Sequence, residues 1–296
     1  MRDGRGGRRR DEHPSTVLEH SGLHAEIEPD RFVPGAYQLV VDGTPQSHVN
    51  LENPGEVFFE YIQRMAHVID LMRMPGQPLT ALHLGAGALT LPRYIEATRP
   101  GSRQQVVELE SRLVELVRRE LPLPAGASIR IRHGDARETL GRLPAGLVGS
   151  VDLLVVDVFS GARTPAHVTS REFYAEAVRM LAPGGVVLVN VADGPPLAFA
   201  RGQAATLAAV VENVAALAET QVLKKRRFGN VVLVGSDARL PLDLLPRLLA
   251  AGPHPSKAVA GRELTDFVAG AAIVTDQTAV PSPPPGRRIF EVGRGD

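Results

Sequence analysis

The spacing of apolar and polar positions changes character twice along the chain. Near the start, Leu23 to Glu28 and Tyr37 to Val41 alternate with the period of half-buried strands. Asp42-Gly43-Thr44-Pro45 then supplies turn chemistry before Ser47-His48-Val49. The pattern predicts a small β-meander over 18–56. Between Val57 and Met74 the period becomes helical, with Phe58, Tyr61, Ile62, Met65, Ile69 and Met72 on one face and Pro75-Gly76 as the stop.

Beyond that helix, short apolar runs alternate with amphipathic ones. Strands are predicted at Leu79–Leu84, Gln105–Leu109, Ile129–Arg132, Leu153–Val156 and Val186–Val191. The intervening helices are Leu91–Ala97, Ser111–Glu120, Ala136–Leu143 and Ser170–Leu181, the last followed by a tight turn at Pro183-Gly184-Gly185. Five strands separated by helices imply an α/β fold with a parallel, doubly wound sheet. A helix from Phe199 to Leu217 and two closely spaced strands, Thr220–Lys224 and Asn230–Val234, predict an antiparallel hairpin that closes the sheet. The expected architecture is therefore the Rossmann-like seven-stranded sheet of adenosylmethionine-dependent methyltransferases, spanning residues 57–280. A last helix at Leu240–Leu249 and a Pro-rich tail over 281–296 complete it.

Composition narrows the function classes. With 296 residues and 44% hydrophobic content the chain can bury a full core. Lys plus Arg equals Asp plus Glu at 33 each, so no net field recruits nucleic acid or an anionic membrane. The absence of cysteine excludes thiolate nucleophiles and Cys-based zinc sites and fits a cytoplasmic setting. Residues 1–17 read as a disordered Arg-rich tail: five arginines with no apolar run behind them and no aromatics to stack on bases. No His/Glu/Asp spacing suggests a metal.

The candidate chemistry lies where strands end. Ala81-Leu82-His83-Leu84 runs into Gly85-Ala86-Gly87, a strand breaking into a glycine turn and then a helix, which is the shape of a nucleotide cradle. About 20 residues later Glu108 ends the next strand, where a carboxylate can accept from ribose hydroxyls. The third strand delivers Gly134-Asp135-Ala136 and the fourth delivers Asp157. Asp135 can accept from an adenine amine while the Ala136 amide donates to a ring nitrogen, or Asp135 can simply cap its helix. Asp157 can pair with an ammonium, or serve as a turn acid. Together these positions predict an adenosine site with an amine handle.

On these residues the chain resembles the spermidine synthase family of polyamine aminopropyltransferases, in particular its bacterial spermidine synthase-like branch. The likeness runs through Val41 to Ser47 (the family's Asp-Gly-x-x-Gln hairpin), Tyr61-Ile62-Gln63, Gly85 to Arg93, Glu108-Leu109-Glu110, Gly134-Asp135-Ala136 and Asp157 to Tyr174, covering about residues 37 to 235. The resemblance implies that Gln46, Glu108, Asp135 and Ala136 hold the methylthioadenosine part of decarboxylated adenosylmethionine. It also implies that Tyr61 lines the pocket of a putrescine-like amine acceptor, and that subunits pair as a homodimer near the N-terminal strands. Two acids of the family pattern are replaced. The acid of its glycine loop falls on Ala88, and the base that deprotonates the acceptor falls on Ser160. A serine hydroxyl cannot take a proton from an ammonium near neutral pH without a base of its own. His167, in the same loop, is a candidate substitute because imidazole titrates in the right range.

Three activities fit this pattern: aminopropyl transfer to an amine, methyl transfer from adenosylmethionine, and nucleoside binding without catalysis. His83, between leucines, is expected to be a core histidine and His67 a pocket residue. Asp276 is expected to cover the crevice, and Lys224 to Arg227 to form a solvated turn.

Overall fold

The computed structural model describes residues 13–251 and 254–285. The N-terminal alternation becomes a four-stranded antiparallel sheet of β1 (Ser15–Val17), β2 (His24–Pro29), β3 (Ala36–Val41) and β4 (Thr44–Asn50), in that order. The expected tail is thus shorter than 17 residues: Ser15 to Val17 pair with Glu26 to His24, and Leu18 behind them is buried. Residues 1–12, where the rest of that expectation falls, lie outside the described residues. The helix α1 (Glu60–Met72) follows.

The α/β part alternates as the pattern predicts: β5 (Thr80–Leu84), α2 (Thr90–Thr98), β6 (Arg103–Glu108), α3 (Ser111–Glu120), β7 (Ile129–His133), α4 (Ala136–Leu140), β8 (Val151–Val156), α5 (Arg171–Val178) and β9 (Leu181–Asp193). The β6, β5, β8 and β9 strands run parallel with β7, and the central strands β5 and β8 are buried on both faces. Leu82, Leu84, Leu154 and Val156 enter one core with Phe173 and Tyr174 of α5. Ala81, Leu153 and Val155, pointing the other way, meet Met65, Val68 and Ile69 of α1. A third core joins Ala25, Ile27 and Leu39 of the small sheet to Leu113, Leu116 and Val117 of α3, and so fixes the small sheet over the strand ends.

Three expectations need correction. Pro183-Gly184-Gly185 is not a helix-to-strand turn but an irregularity within β9, where the pairing jumps from Val151↔Leu181 to Leu153↔Val186. The predicted helix Phe199–Leu217 ends early, as α6 (Ala198–Ala208), and its second half is β10 (Asn213–Glu219). The Val-Ala-Ala-Leu-Ala run of β10 is buried on both faces, so it carries no period to separate strand from helix, and alanine's helix propensity misleads. The predicted strand Thr220–Lys224 is instead one helical turn, α7 (Thr220–Leu223), leading to β11 (Gly229–Ser236).

The helix predicted from Leu240 starts later, as α8 (Leu245–Ala250), and two further elements follow, β12 (Ser256–Ala260) and α9 (Arg262–Val268). The sheet order is β12-β10-β11-β9-β8-β5-β6-β7, so the expected seven strands gain an eighth at the edge. Among the described residues no helix is long and apolar enough to cross a membrane.

Candidate functional site

At the carboxyl ends of the parallel strands a cavity of about 830 Å³ opens between the large sheet, the small sheet and the loop after β8. Its walls hold every position singled out for the nucleoside and amine: Gln46, Tyr61, Gly85, Gly87, Glu108, Asp135, Ala136, Asp157, Ser160 and His167.

The glycine turn takes its shape from contacts that only glycine permits. Gly85 has φ +96°, and a Cβ there would sit 2.8 Å from the Asp157 carbonyl carbon and closer still to its oxygen. Gly87, at φ +50°, would place a Cβ 2.5 Å from Ser47 Oγ. Glu108 fastens the turn from the side: Oε2 accepts from the Ala86 N–H at 2.8 Å and Oε1 from the Glu110 N–H at 3.0 Å. Burial pushes the Glu108 pKa up despite these bonds. Ser47 Oγ accepts from the Ala88 N–H at 3.1 Å, so the hairpin residue after Gln46 also anchors the turn. Glu110 serves the scaffold, accepting from the His20 and Ser21 N–H groups. Ala88, at the position of the family's acid, is 1% exposed and packed in the third core.

Asp135 caps its helix and also lines the cavity. Its Oδ1 caps α4, accepting from the Arg137 and Glu138 N–H groups at 2.9 and 3.1 Å, while Oδ2 lies on the cavity side against His167 Nε2 at 2.7 Å. Burial opposes ionisation, but these hydrogen bonds outweigh it and hold the carboxyl below its usual range. His167 is thus engaged with Asp135 and, among the described residues, hydrogen-bonds neither Asp157 nor Ser160. Arg137 bonds the His167 carbonyl and forms a two-pronged ion pair with Asp276, which also accepts from Ser170 Oγ. Asp276 therefore braces the loop that carries His167, on the Asp135 side of the cavity.

The neighbouring part of the cavity is organised around Asp157. Its Oδ2 accepts from the Tyr61 hydroxyl at 3.3 Å and Oδ1 from Asn190 Nδ2 at 2.8 Å, and Asn190 Oδ1 in turn accepts from Asn230 Nδ2 at 3.0 Å. Burial pushes the Asp157 carboxyl up, and burial together with the neighbouring carboxylate pushes the Tyr61 phenol well up. Ser160 is exposed in a tight loop closed by main-chain bonds to Arg163, and its hydroxyl makes no hydrogen bond among the described residues. Asn190 and Asn230 were missed from sequence; a lone amide inside each of two otherwise apolar strands was the available signal.

Other expectations resolve plainly. His83 bonds Gln104 at 3.1 Å in the core, and burial lowers its pKa to about 4. His67 is half-buried on α1 and does not line the cavity. Arg227 is no mere solvated turn residue: its Nη2 lies 2.7 Å from Glu219 and 3.7 Å from Glu60. The ligand-type cluster among the described residues, Glu60, Glu219 and His254, is thus already served by a guanidinium.

No family model matches the chain. A curated relative, the polyamine aminopropyltransferase of Vibrio vulnificus, is 30% identical over 135 residues, 45% of this chain and 44% of the relative. The match therefore spans about half the length of the curated relatives. The crystal structure of a probable spermidine synthase from Corynebacterium glutamicum is 31% identical, covers 89% of this chain and 96% of its own, and superposes with a TM-score of 0.81. A spermidine synthase in complex with the transition state analogue AdoDATO shares the fold, with a TM-score of 0.55 at 13% identity over 89% of this chain and 80% of that one.

Proposed function

Because the chain belongs to the spermidine synthase-like family, we propose that it transfers an aminopropyl group from decarboxylated adenosylmethionine to the nitrogen of a small amine. The observation that carries this reading is the set of partners of Asp157. Among the described residues Asp157, half-buried at the cavity wall, is held by a phenol and an amide and by no cation, and an ammonium entering the cavity would supply one. The decarboxylated donor ends in such an ammonium. The carboxylate of intact adenosylmethionine would meet repulsion there, which favours aminopropyl over methyl transfer.

In this reaction the acceptor nitrogen attacks the propyl carbon bound to the sulfonium. The carbon–sulfur bond breaks, its electron pair stays on sulfur, and methylthioadenosine leaves neutral. The attacking nitrogen gives up one proton. Glu108 and Asp135 hold ribose and adenine, so that the sulfonium stands over Gly85 beside Asp157; positioning of this kind supplies most of the acceleration. Ser160 cannot take the proton and His167 is committed to Asp135, so Asp157, whose proton affinity burial raises, is the group at the reacting end able to accept it.

Product analysis by mass spectrometry with each donor tests the reading. Methylthioadenosine and an aminopropylated amine are expected from the decarboxylated donor. S-adenosylhomocysteine from the intact donor, with no reaction of the other, would overturn it. We also read the small sheet, which leaves Val17 and Phe32 exposed, as the place where two copies pair. Light scattering at twice the chain mass is the expected result.

A further inference from the structure

The loop between β8 and α5 supplies one side of the cavity through Phe159, Ser160, Gly161, Ala162, Pro165 and His167. Its middle has few ties to the body of the protein. Ser160 and Arg163 exchange main-chain bonds with each other at 2.8 and 3.3 Å. Among the described residues, every other hydrogen bond from residues 158–164 goes to one distant partner, Ser282.

Ser282 meets the loop with main chain and side chain together. Its N–H donates to the Thr164 carbonyl at 3.0 Å, its Oγ accepts from the Thr164 N–H at 2.8 Å, and its carbonyl accepts from Arg163 Nε at 2.6 Å. Ser282 is fully buried and Thr164 nearly so, which makes an unmade bond between them costly. In Pro281-Ser282-Pro283-Pro284-Pro285, Ser282 is the one residue with an N–H to donate, and the prolines on either side fix φ and lower the entropy lost on ordering the segment. The same stretch is anchored upstream. The Val274 N–H donates to Thr206 Oγ1 of α6 at 2.9 Å, the Val274 carbonyl accepts from the Arg171 N–H that opens α5 at 2.8 Å, and Asp276 holds Arg137 and Ser170. The chain then crosses the loop at Thr164 and brings Pro285 to the cavity wall.

From these contacts we infer that residues 274–285 form a strap that holds the loop after β8 in place before any ligand enters, and that Ser282 is the positioning residue through which it acts. The choice of ligand for its test rests on the proposed aminopropyl transfer, but the order of the loop is measured in the free protein.

Hydrogen exchange of the free protein reads the strap directly. The Ser160, Arg163 and Thr164 amides should be protected in the wild type and exchange about 10-fold faster or more in Ser282→Ala, which leaves the Thr164 N–H without its acceptor. Methylthioadenosine affinity, read by calorimetry, should fall by a similar factor, because binding then has to order the loop. Arg163→Ala changes an exposed side chain and so spares the fold; it should shift both readouts the same way by less. Thr164→Val is the control. Thr164 bonds Ser282 through its main chain, and its buried Oγ1 makes no hydrogen bond, so exchange and affinity should keep their wild-type values. Unprotected loop amides in the wild type, or loop exchange unchanged in both Ser282→Ala and Arg163→Ala, would overturn the inference. So would acceleration spread evenly over the sheet, or faster loop exchange with unchanged affinity. A wild type that binds no methylthioadenosine would remove the proposed reaction, and exchange alone would then decide the strap.

Discussion

Gly85 and Asp157 end adjacent parallel strands so close together that a single methyl on Gly85 would enter the Asp157 carbonyl group. Gly85→Ala therefore combines a clash against backbone, which cannot swing aside, with a φ of +96° that alanine disfavours. We expect a loss of about 3 kcal/mol or more of stability, read as a lowered melting temperature, and loss of methylthioadenosine binding. Gly126→Ala is the control: φ is +85° with nothing within 4 Å, so it should show only the smaller backbone penalty and bind normally.

Asp157→Asn should abolish turnover and yet stabilise the ligand-free protein at neutral pH. The folded-state pKa of Asp157 is raised, so the folded state binds its proton more tightly than the unfolded chain does. The stability that this group lends is fully present below the ordinary carboxylate pKa and is lost as pH rises through the raised value. Melting curves of wild type and variant should converge as pH falls into the ordinary carboxylate range. A variant less stable than wild type at pH 7 would contradict the assignment of burial as the cause.

The 2.7 Å contact between His167 and Asp135 separates two roles for the histidine. If it positions the nucleoside-side acid, His167→Ala should weaken methylthioadenosine binding several-fold and leave kcat nearly unchanged. A general base would instead cost about 10² to 10⁴ in kcat. Steady-state kinetics with both substrates varied decides between them.

Ser160 sits exposed in a loop held by its own main chain, so an aspartate fits there without repacking. Ser160→Asp should raise turnover of whichever amine the protein accepts by about 10²-fold, the lower range for a general base. An unchanged rate would mean that the proton already leaves efficiently through Asp157.

Much of this protein was legible in its residues alone. Short strand-like runs alternating with helices and ending in Gly85, Glu108, Asp135 and Asp157 determined a parallel sheet and placed those groups at one edge, because strand ends in such a sheet share a side. The β-meander followed from period-two alternation and a Gly-containing turn. Where burial covers both faces, as in Ala215 to Ala218 of β10, no period survives, and pairing with β11 and β12 decided strand over helix. Tertiary structure alone decided partnerships between distant residues: His167 with Asp135 and not Asp157, Asn190 with Asp157 and with Asn230, and Arg227 with Glu60 and Glu219. Such contacts depend on which strand neighbours which and on side-chain reach across the gap, and neither is written in local spacing. The sequence thus determined which strand ends carry the candidate groups, while the folded arrangement determined which side chains those groups meet.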